Sequence, residues 1–457
     1  MFLPNRLAAS LAGCVLVCFL GCGGGGGGTI PTTQPTQPPA DTIAPVARVE
    51  TPSQIAANMN PGWNLGNTLE GDPTEGSWGN PPVTLPTFQD VVDIGYKSVR
   101  IPVRFSTHLG ADNVVNPAWL QRVSDVVDMA RSLGLYAIVD MHHDYGTFGA
   151  GFRDNPDGAI AKFTKVWKQI AVKLRDKDPR VLFEVINEPG GAVEGDVNDL
   201  TPAQNNQLNA AVVAAIRGTG GINASRCVVC PLKWTSTTYA QNMELPADDN
   251  LIVTFHYYTP WSFTNGTDQT WGVGAGQAWE ITDLNTSFGT MKTLFVDKGI
   301  PVILGEFGLN MGDNPPYYQW LWVDSLMQKA HDCGITTMVW DNGGLLDRAA
   351  HAWREPVRVA IQVQAARGNK NSLVNTGLAY TLPVSSSDLA LPLVLNGNTL
   401  SRIKNGDTAL VAIRDYAVSG ATLTINGSYL SGLPSGTTTL SIGFSAGADQ
   451  RIKLSKS

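Results

Sequence analysis

Between residue 52 and about residue 370 the chain alternates two textures. Short, nearly unbroken apolar runs cover residues 63–67, 98–103, 135–142, 181–188, 226–232, 251–258, 301–308 and 336–342. Between several of them, apolar positions recur every three or four residues, as in Trp119, Val123, Val126, Ala130 and Leu133, or Phe163, Trp167, Ile170 and Leu174. Asn116-Pro117, Thr201-Pro202 and Asn314-Pro315 each set a capping side chain before a proline suited to a first helical turn. Strands apolar on both faces belong in a covered, parallel sheet. Eight of them, about forty residues apart, suit eight βα units. The pattern predicts an α/β fold, a (β/α)8 TIM barrel. After about residue 375 the runs shorten to 391–395, 409–413, 422–425 and 438–444, separated by Asn396-Gly397, Asn405-Gly406, Ser419-Gly420 and Asn426-Gly427. These dipeptides favour tight turns, so a small all-β sandwich follows the barrel.

Composition narrows the class of partner. Lys and Arg total 32 against 39 Asp and Glu, a net charge of −7, and no basic run offers a nucleic acid anything to bind. The chain reads as four segments: 1–22 a targeting peptide, 23–50 a Gly/Thr/Pro/Gln-rich tether, 51–372 the barrel and 373–457 the sandwich. The first segment, with Arg6 before an apolar stretch and Gly21-Cys22 after it, resembles a bacterial lipoprotein signal. That likeness implies lipidation at Cys22, with Cys14 as an alternative acceptor and an ordinary secretory signal as another reading. Gly23, rather than Asp, after the cysteine points to the outer membrane of a Gram-negative cell. The membrane is then reached only through the lipid, and the folded part is expected to be a monomer. Cys227 and Cys230 have a metal-like spacing, but three residues apart on a strand they face opposite ways, so they are read as packed thiols.

In a barrel, chemistry gathers where the strands end. Those positions here hold Asn67, Arg100, His142, His143, Asn187, Glu188, His256, Tyr258, Glu306 and Trp340. One glutamate at a strand end is ordinarily a surface ion-pair partner. Two, Glu188 and Glu306, three βα units apart, supply the pair of carboxyl groups that glycosidic-bond cleavage needs. Twelve Trp and eleven Tyr add flat faces on which sugars stack.

Seven motifs, taken in order, resemble glycoside hydrolase family 5: Gly62-Trp-Asn-Leu-Gly-Asn67, Val99-Arg-Ile-Pro-Val103, Asp140-Met-His-His143, Asn187-Glu-Pro189, Phe255-His-Tyr-Tyr258, Gly305-Glu-Phe-Gly308 and Val339-Trp-Asp-Asn342. The resemblance implies Glu306 as nucleophile and Glu188 as acid/base of a retaining hydrolase, with no metal and no organic cofactor. Arg100 and Tyr258 would keep Glu306 ionised. Glu188 should bind its proton more tightly through partial burial beside Glu306. Asn187 would bond the sugar 2-hydroxyl, Trp340 would floor the subsite, and Asn67, His142, His143 and His256 would contact or orient substrate. The Gly-Trp-Asn-Leu-Gly-Asn run, with Trp78-Gly-Asn-Pro81, is similar to the endoglucanase-type branch acting on β-glucan polysaccharide: cellulose, mixed-linkage glucan or xyloglucan. Mannanase, xylanase and a non-catalytic glycan-binding protein are the alternatives. Trp78, Tyr145, Trp234, Trp261, Trp271 and Trp279 are candidates for further sugar subsites. The C-terminal segment resembles X2-type immunoglobulin-like modules. Its lack of any Trp after Trp353 favours a spacer over a binder of crystalline cellulose.

Overall fold

The computed structural model describes residues 50–456, except 192, 274, 310–313 and 376. Cys22, the targeting segment and the tether up to residue 49 lie outside the described residues. Eight parallel strands close into a barrel: β1 (Gly62–Asn64), β2 (Ser98–Val103), β3 (Tyr136–Met141), β4 (Val181–Glu184), β5 (Val228–Pro231), β6 (Leu251–Tyr257), β7 (Val302–Phe307) and β8 (Thr336–Val339), with β1 hydrogen-bonded to both β2 and β8. The strands are mostly shorter than the apolar runs. Beyond their ends the chain turns over the mouth of the barrel, where Glu188 (φ +42°), Asn67 (φ +53°) and His143 (φ +57°) take left-handed backbone conformations.

Alternation along each strand sorts the side chains. Val99, Ile101, Val139, Phe183, Val253 and Val339 pack outward among the surrounding helices. Ile138, Leu182, Val229, Ile252, Ile303 and Met338 fill the barrel's interior together with Ile55 and Met59. The last two come from the helix Pro52–Asn58 and its C-terminal capping residue, a helix that Thr51 and Gln54 start with a reciprocal capping box and that plugs the floor. Cys227 belongs to the interior cluster and Cys230 to the outer one, so the two thiols do face opposite sides of β5.

Higher up, the same inward positions turn polar: Asn64, Arg100, Asp140, Glu184 and Thr254 are all buried. Glu306 joins them only because β7 breaks step. Phe255 pairs with Leu304 but His256 with Glu306, so Gly305 is an extra residue, a bulge. Leu304 and Phe307 both pack outward, and the bulge leaves Glu306 facing in. A side chain on Gly305 would lie 2.6 Å from Thr254 Oγ1 and 3.2 Å from His256 Nε2, so the bulge takes glycine.

Two expected local features differ. Asn116 and Thr201 cap their helices. Asn314 does not: it is buried, and its amide donates to the carbonyls of Phe263 (3.2 Å) and Asp268 (2.6 Å) instead of closing the turn of Pro316–Asp332. Asn426-Gly427 begins a short helix, Gly427–Ser431, rather than a tight turn. There a Cβ would sit 2.4 Å from the Ser386 carbonyl, so glycine serves close approach.

The C-terminal segment forms a four-stranded and a five-stranded sheet around Leu391, Ile403, Leu423, Ile425, Leu440 and Ile452. Its junction with the barrel turns on the buried Asn371. The amide donates to Asp324 Oδ1 (2.7 Å) and Ile361 O (3.2 Å), while the Ala448 N–H donates to its Oδ1 (2.8 Å). Replacing Asn371 by Ala leaves a backbone N–H unpaired and Asp324 Oδ1 with only the longer bond from Gln328 Nε2 (3.3 Å). We expect a loss of about 2–4 kcal/mol. Calorimetry should show one unfolding transition in the parent and two separated ones in Asn371→Ala.

Candidate active site

Arg100, fully buried, is the hub of the inward polar layer. Its guanidinium meets Glu184 twice (2.7 and 2.9 Å), Glu306 (2.7 Å), Asp140 (2.9 Å), Asn187 Oδ1 (2.9 Å) and Asn64 Oδ1 (3.1 Å). Asn64 also donates to the Gly305 carbonyl (3.0 Å), which ties β1 to the bulge. Burial alone would weaken the charge on Arg100, but Asp140, Glu184 and Glu306 around it hold its pKa well above the ordinary value. The Tyr258 hydroxyl donates to the other Glu306 oxygen (3.0 Å). Burial, then the charge of Glu306, pushes that phenol far up, so it stays a donor. Glu306 is therefore gripped on both oxygens and is 5 % exposed.

Glu188 is different. Its side chain is 48 % exposed, and its Oε1 lies 2.8 Å from His256 Nδ1, which in turn lies 3.7 Å from Glu306. The expected rise in its proton affinity is not found. Burial does push its pKa up, but the hydrogen bond and charge of His256, helped by Arg100, outweigh this and bring it down to about 2. For His256, burial disfavours the cation; the charges of Glu306 and Glu188 and the Glu188 hydrogen bond override it and raise the pKa. The two opposite shifts favour the proton on His256, between the two carboxylates. Among the described residues, Glu188, His256 and Glu306 are also the group whose donor atoms converge, all within 4.8 Å, so a metal ion there would occupy both carboxylates.

The other predicted residues form the opposite wall. His142 bonds Asp140 (2.6 Å) and stacks on Trp340 with ring centroids 5.5 Å apart. Burial lowers the His142 pKa to about 3, and does the same for His143, so both stay neutral. His143 meets His142 edge-on at 4.4 Å and Trp78 at 5.4 Å. Asn67 is held through its backbone. Its N–H donates to the buried Glu70 carboxylate and its carbonyl accepts from Asn80 Nδ2 (3.1 Å). Gly66, where a Cβ would lie 2.7 Å from the Trp340 ring, brings that loop against the indole. A cleft of about 600 Å³ runs past Glu188, Tyr258, Trp261, Trp340, Asn342 and Leu345. Of the aromatic candidates, Tyr145 (5 % exposed) and Trp271 (2 %) are core residues, whereas Trp261 (68 %) and Trp279 (52 %) stand in solvent. Sequence reasoning passed over Glu184, Asp140, Asn64 and Glu70. For the first three the available signal was their parity with the inward apolar residues.

Two facing carboxylates at the mouth of a closed barrel, one clamped and one beside an imidazole, define a glycosidase-type site. Residues 61–345 match the cellulase family, glycosyl hydrolase family 5, and residues 380–454 match the carbohydrate binding domain X2. Endoglucanase B of Paenibacillus lautus is 31 % identical over 395 residues, covering 82 % of this chain and 69 % of that protein. A tri-modular endo-β-1,4-glucanase of the family's subfamily 4 from Bacillus licheniformis, solved with cellotetraose, superposes with TM-score 0.82 and 35 % identity, over 89 % of this chain and 79 % of that one. A broad-specificity endoglucanase from Clostridium acetobutylicum gives TM-score 0.64 at 31 % identity, over 69 % of this chain and 99 % of that one. The chain belongs to glycosyl hydrolase family 5 and is a glycoside hydrolase.

A proton shared by Glu188 and His256 is expected to govern the alkaline side of the pH profile, because the pair loses it as pH rises through the raised His256 pKa. Without the imidazole, Glu188 alone must hold the proton, and a carboxyl gives it up at lower pH. His256→Asn should move the alkaline limb of kcat/KM down by about one pH unit or more. A limb left in place would remove His256 from the proton's path.

Proposed function

We propose that this protein is a retaining endo-β-1,4-glucanase that cuts internal bonds of β-glucans by double displacement. One observation carries the mechanism: an oxygen of Glu188 and one of Glu306 lie within 4.8 Å of each other. Retaining hydrolases hold their carboxyl groups about 5–5.5 Å apart, whereas inverting ones need about 6.5–9.5 Å to admit a water. The substrate class is supported by the names of the relatives, endoglucanases, and by the cellotetraose held by the Bacillus licheniformis enzyme.

In this reading Glu306, paired with Arg100 and oriented by Tyr258, attacks the anomeric carbon from below the ring. Glu188 protonates the departing oxygen, taking the proton that His256 holds across 2.8 Å in the free site. Substrate binding excludes water and brings a neutral sugar oxygen against Glu188, and consumption of the Glu306 charge removes one of the two anions that favour the imidazolium. Deprotonated Glu188 then activates water against the glycosyl-enzyme. Asn187, fixed by Arg100, faces the 2-hydroxyl, and Trp340 floors the same sugar.

Release of reducing ends from carboxymethyl cellulose, mixed-linkage glucan, xyloglucan, mannan and xylan tests the reading. Rapid release from one or more β-glucans is expected, with a fall of at least about 10³-fold, about 4 kcal/mol of barrier, in Glu306→Gln. Release from mannan or xylan alone would replace the substrate class. Unchanged hydrolysis in Glu306→Gln would overturn the nucleophile assignment.

The apolar stretch before Gly21-Cys22 supports export and lipid attachment at Cys22, with the monomeric barrel held off the membrane by the tether. In a bacterial host, labelled palmitate should enter the full-length protein and not Cys22→Ala; label retained in that variant would move the anchor to Cys14.

A further inference from the structure

The barrel closes through its shortest strand. β1 is three residues long and meets β8 in two register pairs, Gly62 with Met338 and Trp63 with Val339. Past that point a side chain takes over. The chain after β8 folds into a two-stranded ribbon, Leu346–Asp347 with Ala352–Trp353, and the buried Arg348 stands at its turn. Its guanidinium lies over the Trp63 ring, 5.0 Å from the centroid. It donates to the carbonyls of Gly66 (2.8 Å) and Asp341 (2.5 Å) and to the Thr68 hydroxyl. The Gly66 N–H reaches the same Asp341 carbonyl (3.1 Å). Asn80 adds a second tie, from Nδ2 to the carbonyls of Asn67 (3.1 Å) and Asn342 (2.9 Å). The Asp341 carboxylate accepts the Trp63 indole N–H (2.9 Å) and the backbone N–H groups of Gly343 (2.9 Å), Leu345 (2.9 Å) and Leu346 (3.0 Å), so the loop that carries Arg348 is itself held.

This clasp joins the two pieces of backbone that enclose the Trp340 ring. The indole fits a slot between His142, stacked at 5.5 Å, and the Gly66 backbone, where a Cβ would fall 2.7 Å from its Cζ2 and 2.9 Å from its Cε2. Burial disfavours a cation at Arg348, opposed only through the charges of Asp341 and Glu70, and among the described residues no carboxylate is in ion-pair contact with it. Packing against Trp63 would be served as well by an apolar side chain, so the guanidinium is kept for its donors. We infer that Arg348 is a positioning residue for the reaction: by bridging the Gly66 and Asp341 carbonyls it sets the width of the slot and so the tilt of the Trp340 ring under the sugar being cut. The inference rests on the endoglucanase reading, in which Trp340 floors that sugar. Arg348 itself stays behind the backbone of Gly66 and does not meet substrate. A tilted floor still binds the chain but carries the anomeric carbon off the line of attack by Glu306, so the effect falls on kcat rather than on KM.

Two measurements separate this role from a merely structural one. Arg348→Lys keeps the charge but lacks the planar fork that spans the two carbonyls. It should lower kcat on cellopentaose at least about tenfold and leave KM within about threefold. In a Trp340→Phe background the same replacement should cost less than about twofold, because the residue acts through the indole. Equal losses in the two backgrounds, or none in either, would overturn the assignment. The second measurement needs no turnover. In fluorotryptophan-labelled protein, the fluorine resonance missing from Trp340→Phe belongs to Trp340, and it should shift or broaden in Arg348→Lys. A resonance left in place would overturn the inference whether or not the parent hydrolyses cellopentaose, whereas a parent inactive on that substrate would sink the endoglucanase reading alone. Should Arg348→Lys fail to fold, Thr68→Val removes one acceptor of the guanidinium at nearly constant volume. It should move the same resonance and lower kcat in the same direction; an unmoved resonance there would equally overturn the clasp.

Discussion

One buried guanidinium makes the rest of this active site possible. The inward positions of β2, β3, β4 and β7 bring Arg100, Asp140, Glu184 and Glu306 into a space closed to water, where three carboxylates alone would repel or take up protons. Burial does push Asp140 up, to about 7, and raises Glu184. Arg100 opposes this at Asp140 and at Glu184. Its planar fork reaches five side chains at once, from β1, β3, β4, β7 and the loop after β4. A lysine's single ammonium could not match that set of directions. The energy of so many charge contacts is largely offset by desolvation. What the hub supplies is placement: Glu306 and Asn187, which act on the same sugar, hang from the same guanidinium.

Against that rigid half of the site stands a softer one. Glu188 has no guanidinium, half of its side chain is in solvent, and its only hydrogen bond from a side chain among the described residues goes to His256. The asymmetry fits the two tasks. A nucleophile has one state to be ready in, charged and in line. An acid that later becomes a base must give up and recover a proton within each turnover, and an imidazole 2.8 Å away can supply and take back that proton with little movement of either side chain. The proton count stays constant while its location changes. A site that held Glu188 neutral by burial alone would serve the first step and hinder the second.

How much of this could be read from residues follows from which physics is local. The barrel was legible because eight apolar runs of the right spacing leave little else to build, and the strand-end motifs carried all ten barrel positions into one mouth. What escaped depended on three-dimensional register. Alternation by twos, run along β7, would send Glu306 outward; only the bulge at Gly305 corrects it, and a bulge is set by pairing with β6. Asp140 and Glu184 were not named as site residues, since their meaning comes from a cation on a different strand. Asn314 had the sequence of a cap, yet burial gave its amide better partners. Tyr145 and Trp271 looked like loop aromatics because composition cannot tell a ring that lines a cleft from one that fills a core. In the sandwich, turn dipeptides marked the segment's texture, but half of its strands were missed. Strands such as Leu400–Asn405 and Gln450–Lys456 alternate apolar and polar residues too sparsely to stand out.

The junction at Asn371 changes what the C-terminal module can contribute. A module on a flexible linker raises local substrate concentration by sweeping a volume, and its effect is set by linker length. Here Leu373 and Ala448 belong to the same apolar cluster as the barrel's outer core, and Asn371 bonds helix Pro316–Asp332, helix Pro356–Ala366 and the loop before the last strand at once. A body held by buried contacts on three elements does not sweep. Any surface it offers a polysaccharide is presented at one fixed offset from the cleft, so its geometry, rather than its reach, decides whether a chain can touch both. Fixed offset suits a module that extends or shields the barrel's flank, and it explains why the seam is built from buried amides and apolar side chains instead of the polar, exposed residues of a tether.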